Sequence, residues 1–123
     1  MLIRMSIAVI MFALCVSYAL AEEQLGVAVY PGAKYDQVMT TLLKKSPSVE
    51  GAAYRTDATM AEVTEFYRKQ GLLFLRLGDT TKESARFKKT DTGVDVVVQS
   101  PWKDPHTGAT MKGTLIMIIQ NRE

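Results

Sequence analysis

The stretch SARFKKTDTGVDVVVQ, residues 84–99, decides how this chain folds. Two runs of strand-forming residues flank TDTG (90–93), which serves as a four-residue loop. That loop places Lys89 opposite Val94, Lys88 opposite Asp95, Phe87 opposite Val96 and Ala85 opposite Val98. Opposite charges then share one face and apolar side chains the other. A slip of one residue would destroy both matches together, because side chains alternate faces along a strand. The stretch therefore predicts an antiparallel hairpin in one register.

Working outward, TLIMIIQ (114–120) is apolar on both faces, with Leu115, Met117 and Ile119 against Ile116 and Ile118. A strand of this kind belongs in the middle of a sheet. Its second face needs cover, either from the first helix or from a partner subunit, which makes a homodimer one expectation. Strands near 72–77, 84–89, 94–100 and 112–120 form an antiparallel meander at the C-terminal end.

Upstream, LGVAVY (25–30) reads as a short extended run closed by Pro31-Gly32. Proline presets the first central position of a type II turn, and glycine supplies the positive φ of the second. In YDQVMTTLLKK (35–45), Tyr35, Val38, Met39, Leu42 and Leu43 form one helical stripe, with Asp36 in the first turn and Ser46-Pro47 as the stop. AAYRT (52–56) is a short strand. Thr59-x-x-Glu62 offers a capping box for a helix over 59–70, with Asp57 as an alternative cap. That helix turns Met60, Val63, Phe66 and Tyr67 inward, carries a Glu65–Lys69 pair outside, and ends at Gly71. Two helices on about five or six strands give the α+β class, with the helices packed on an antiparallel sheet.

The first 21 residues are expected to lie outside this domain. MLIRMSIAVIMFALCVSYALA has Arg4, then an apolar run from Met5 to Tyr18, then Ala19-Leu20-Ala21. This is the layout of a secretory signal peptide, cleaved after Ala21. The run is shorter than the roughly 20 residues that span a bilayer, so membrane contact is expected only through the transient leader. Leu14 before Cys15 is too bulky for the usual lipoprotein signal. The expected mature protein is periplasmic or secreted, one domain over 22–123, and free of the chain's single cysteine. A net charge of +2 gives no case for nucleic acid or an anionic membrane.

Three segments, VYPGAKYD (29–36), AAYRTDATMAEVTEFYRKQ (52–70) and QSPWKDPHTG (99–108), resemble a family of small exported bacterial proteins of unknown function. These share a YPGA turn, a Y-x-T strand and a helix ending in FY plus basic residues. The resemblance spans most of the chain after residue 21. It implies an exported α+β domain and carries no activity to transfer.

The chemistry-bearing residues concentrate in SPWKDPHTGATMKG (100–113), which holds the only Trp and the only His. Asp104, Pro105 and His106 suit a type I turn, and Gly108 allows positive φ at the return. Turn chemistry thus explains most of the segment, as an Ω-like loop with Trp102 packed on the sheet edge. Yet about a dozen residues exceed an ordinary hairpin loop, and such loops carry function more often than short ones. Trp102, Asp104 and His106 are therefore the candidate ligand- or partner-binding residues. Asp104 is placed to orient a His106 base, but no G-x-S-x-G elbow supplies a nucleophile. Glu62 and Glu65 lie on an outer helix face, and Asp95 faces a lysine, so no acid pair suits glycoside hydrolysis. One His cannot build a zinc site, DTGVD (91–95) is too short for calcium, and no nucleotide-binding glycine motif occurs. No cofactor, catalytic residue or metal site is expected. The reading is a non-catalytic binding or envelope accessory module for a protein or small ligand. Two alternatives stand beside it: a periplasmic copper carrier using His106, Met111 and Trp102, and an enzyme with an unrecognised site.

Overall fold

The computed structural model describes residues 22–75 and 84–122. The leader, its cleavage point, Cys15 and the expected end of the strand near 76–77 lie outside the described residues.

The fold is α+β. Its centre is a six-stranded sheet of β3 (Lys34–Tyr35), β4 (Val49–Thr56), β5 (Leu73–Leu75), β6 (Ser84–Lys89), β7 (Val94–Gln99) and β10 (Thr114–Asn121). The strands run in the order β3-β4-β10-β7-β6-β5, and every neighbouring pair is antiparallel. The hairpin over 84–99 takes the expected register, with Lys89 opposite Val94, Phe87 opposite Val96 and Ala85 opposite Val98. Lys88 faces Asp95 as expected. The ion pair, however, is diagonal: Arg86 donates to Asp95 from Nε at 3.2 Å and from a terminal guanidinium nitrogen at 2.8 Å. The fork of a guanidinium matches both carboxylate oxygens, which an ammonium cannot do.

β10 is central, between β4 and β7. The two faces of the sheet have different covers. Over the first lies α2 (Met60–Lys69), whose Val63 and Tyr67 are buried against Tyr54, Phe87, Val96, Ile116 and Ile118. Thr59 and Glu62 form the reciprocal capping box, and Gly71 takes φ +77 beyond the helix end. Hydrogen bonds from the backbone and hydroxyl of Thr59 hold the Glu62 carboxyl below its usual range. Glu65 and Lys69 make their i,i+4 pair at 4.0 Å on the solvent side.

The second face is covered by α1 (Gln37–Lys44) and by a small hairpin of β8 (Trp102–Lys103) and β9 (Thr110–Met111). Ala53, Leu115 and Trp102 are its buried core, with Met39, Leu43, Met111 and Met117 packed around them. So the chain's own first helix covers Leu115 and Met117.

The inward stripe of α1 differs from the expected one. Tyr35 is still in β3, paired with Tyr54, and Asp36 is the N-cap, its carboxylate accepting from the Met39 amide at 2.9 Å. Helical phase therefore begins later than the apolar pattern implies. Met39, Thr40 and Leu43 turn inward, while Tyr35, Val38 and Leu42 are 51%, 44% and 41% exposed. Thr40 is only 1% exposed. Its hydroxyl accepts from the Ala53 amide at 2.8 Å, and the Ala53 carbonyl accepts from the Asp36 amide at 2.8 Å. Strand β3 is too short to pair with Ala53, so the start of α1 satisfies that stretch of the β4 edge instead.

A second difference lies at residues 23–28. Leu25 is in a turn, not a strand. β1 (Glu23–Gln24) pairs with β2 (Val27–Ala28), and Leu25 and Gly26 take φ values of 53° and 77° between them. Positive φ at both central residues matches the strand twist of a two-residue hairpin. Leucine is costly there, and packing of its side chain against the core offsets the cost.

Candidate functional site

The segment 100–113 is a hairpin, not an Ω-like loop. Trp102 pairs with Met111 and Lys103 with Thr110. The peptide bond Ser100–Pro101 is cis. At the base, the Ser100 hydroxyl donates to the Gly113 carbonyl at 2.7 Å, and the Thr114 hydroxyl donates to the Ala58 carbonyl at 2.7 Å. Gly113 has φ +86, and a Cβ there would drive into the Thr56 carbonyl oxygen. The hairpin is thus clamped against the end of β4.

Trp102 is 6% exposed and packs on the second face beside Ala53 and Leu115. The expected place at the sheet edge is therefore corrected: the β8–β9 pairing folds the indole back over the central strands. Its Nε1–H is buried and has no hydrogen-bond partner among the described residues. A buried indole N–H normally finds an acceptor, because losing water without replacement costs roughly 1–3 kcal/mol.

At the hairpin tip, the Asp104 carboxylate accepts from the His106 amide at 2.8 Å and from the Thr107 amide at 3.2 Å. The Gly108 amide donates to the Asp104 carbonyl at 2.8 Å. Asp104 thus closes the turn through backbone amides, as turn chemistry predicts. His106 is exposed and lines a groove of about 250 Å³ with Pro105, Val38, Thr41, Leu42 and Lys45. The outward apolar residues of α1 therefore face the hairpin tip.

Trp102 and Met111 line a different and larger cavity, of about 440 Å³. It lies where the turn after Tyr30, the end of β4 and the hairpin base meet. Gly32 and Lys34 come from the first of these, Arg55, Thr56 and Asp57 from the second, and Lys112 from the third. The structure therefore separates Trp102 from Asp104 and His106, which stay together at the tip. Trp102 belongs to the cavity, His106 belongs to the groove, and Asp104 lines neither of the two. Met111 lines the cavity and His106 the groove. Among the described residues, no three His, Cys, Asp or Glu side chains are grouped to hold a metal.

No family model, curated protein or solved structure matches this chain.

The cavity's charge was not legible in the sequence. Lys34 and Arg55 are directly opposite one another across β3 and β4, on the face that carries Ala53 and Leu115. Like charges directly opposite are unfavourable in a sheet. The ion pairs among the described residues join Lys69 to Glu65, Arg86 to Asp95, Lys89 to Asp91 and Arg122 to Glu50. Lys34, Arg55 and Lys112 are in none of them. Asp57 is the one carboxylate on the cavity wall. A two-residue strand such as Lys34–Tyr35 leaves no periodic signal, so its pairing with Arg55 could not be foreseen.

Proposed function

We propose that this protein is a small exported binding module, without catalytic machinery, that docks a ligand at the base of the β8–β9 hairpin. The observation that carries the reading is a cavity of about 440 Å³ at the hairpin base, lined by Trp102 together with Lys34, Arg55 and Lys112. A clamped hairpin and a ready concavity together form a pre-organised recognition site. The groups on the wall suit holding a ligand: an indole, a thioether, a hydroxyl, three cations and one carboxylate. At the tip, Asp104 is committed to backbone amides and holds His106 in place through its amide rather than its ring. Export rests on the leader layout of residues 1–21, and with it a place in the cell envelope or outside the cell. Among the described residues no helix is long and apolar enough to cross a membrane.

The single tryptophan makes the test direct. The chain is expressed from Met1, purified as the cell leaves it, and titrated with a panel of anionic, neutral and cationic small molecules and envelope peptides. At least one class is expected to change Trp102 emission saturably and to raise the melting temperature by mass action. If every class leaves both readouts unchanged, the binding reading is overturned.

A further inference from the structure

The geometry points to the cavity at the hairpin base as an oxyanion site, which takes a phosphate or carboxylate group of a small ligand. The inference rests on the binding reading above and goes further by naming the chemistry of the ligand.

Three observations carry it. Lys34 and Arg55 stand opposite each other in neighbouring strands, an arrangement that costs stability unless something negative lies between or beside them. Lys112 joins them on the same wall, so three cations face a single carboxylate, Asp57. None of the three cations is in an ion pair among the described residues, although Arg86, Lys89 and Arg122 each have one. Trp102 belongs to the same lining, which puts a fluorescent reporter beside the cations. An oxyanion answers all three at once. It has several acceptor lone pairs, it neutralises the clustered charge, and a guanidinium binds it in bidentate fashion.

The backbone positions of the charges set them apart from lysines scattered on a helix. Solvated lysines on a helix face repel weakly and turn into water, as Lys44 and Lys45 do at the end of α1, where both are exposed. Lys34 and Arg55 are exposed as well, but their backbones are held together. Their Cα positions are set by the β3–β4 ladder, and their side chains emerge on the same face. The Gly32 turn on one side and the Gly113 clamp on the other hold the wall in place. Backbones fixed in this way keep the three charges close together, which favours an incoming anion.

The test uses Trp102 as the reporter at constant ionic strength, with inorganic phosphate, succinate and chloride as probes. Saturable change with phosphate, succinate or both, and none with chloride, is the expected result. Phosphate alone identifies a phosphoryl ligand, and succinate alone a carboxylate ligand. Arg55→Gln is expected to weaken binding about 10-fold or more, the loss of one charge-assisted pair. Lys112→Gln, at an exposed position outside any strand, provides a second variant that leaves the sheet intact, with a smaller loss. Arg122→Gln, which breaks the pair with Glu50 away from the cavity, is expected to leave binding unchanged. Absence of a saturable response to both phosphate and succinate overturns the oxyanion inference. So does a response that Arg55→Gln and Lys112→Gln leave intact. If a neutral or cationic probe binds instead, the binding module stands and only the anion chemistry falls.

Discussion

The two faces of the sheet are built from different materials. The first is sealed by aromatics in sequence across the molecule. Tyr30 meets Phe66 at 5.2 Å, Phe66 meets Tyr67 at 5.0 Å, Tyr67 meets Phe87 at 6.0 Å, and Phe87 meets Phe74 at 5.3 Å. The Tyr67 hydroxyl spends its hydrogen bond on the Ala28 carbonyl at 2.9 Å. Burial pushes the Tyr67 phenol well above its ordinary value, so it stays neutral. The second face is filled by Met39, Met111 and Met117 around Leu115 and one tryptophan whose polar end is left unpaired. Methionine fits irregular space without specifying it tightly. The lesson is a division of materials: one face is closed by packed aromatics, and the other leaves an indole donor and three cations unpaired among the described residues.

The sharpest way to break that comparison is to cut one side chain from each face. Phe87→Ala is expected to cost about 3–5 kcal/mol, while Met117→Ala, half-buried on the other face, costs about 1–2 kcal/mol. Denaturant unfolding of the two variants checks the ratio. Equal losses would mean that both faces carry the fold alike. Next in size is Thr40→Val, which keeps the shape but leaves the buried Ala53 amide without its acceptor. It is expected to cost about 1–3 kcal/mol and to speed hydrogen exchange at Ala53. A smaller effect attends Thr59→Ala, about 1 kcal/mol, from loss of the α2 cap. Because the Glu62 carboxyl is held low in the fold, its contribution is present above its ordinary value of 4.5 and fades as pH falls through the lower folded value. Thr59→Ala should therefore flatten the acid limb of the stability profile.

Alkaline titration separates the faces once more. The folded Tyr67 phenol has a raised value, so its contribution is full below 10.0 and declines as pH rises above it, where the unfolded chain alone loses the proton. Absorbance at phenolate wavelengths should show one tyrosine ionising only with unfolding. Early, unfolding-independent ionisation of every tyrosine would contradict the sealed first face.

Much of the first face was readable because its signals are local. The capping box of Thr59 and Glu62, the inward Val63 and Tyr67, and the register across TDTG each lie within a contiguous stretch, where side-chain period and turn chemistry act directly. The α1 stripe misled for a related reason. Val38 and Leu42 carry the right period, but Asp36 as N-cap and Tyr35 in β3 shift the helix phase, and Thr40 faces inward for a hydrogen bond rather than for apolar burial. Of the candidate residues, Trp102 alone lines the cavity, whereas Lys34, Arg55 and Lys112 carry no short-range mark of their proximity to it.

By itself the sequence determined the α+β class, the hairpin register, the central two-faced strand and the turn at Asp104, because each follows from neighbours along the chain. Only the tertiary structure decided what covers the second face and which charges meet there. Strand order brings positions 34, 55, 102 and 112 together, and that proximity is set by sheet pairing between distant segments, which no local period or turn motif encodes.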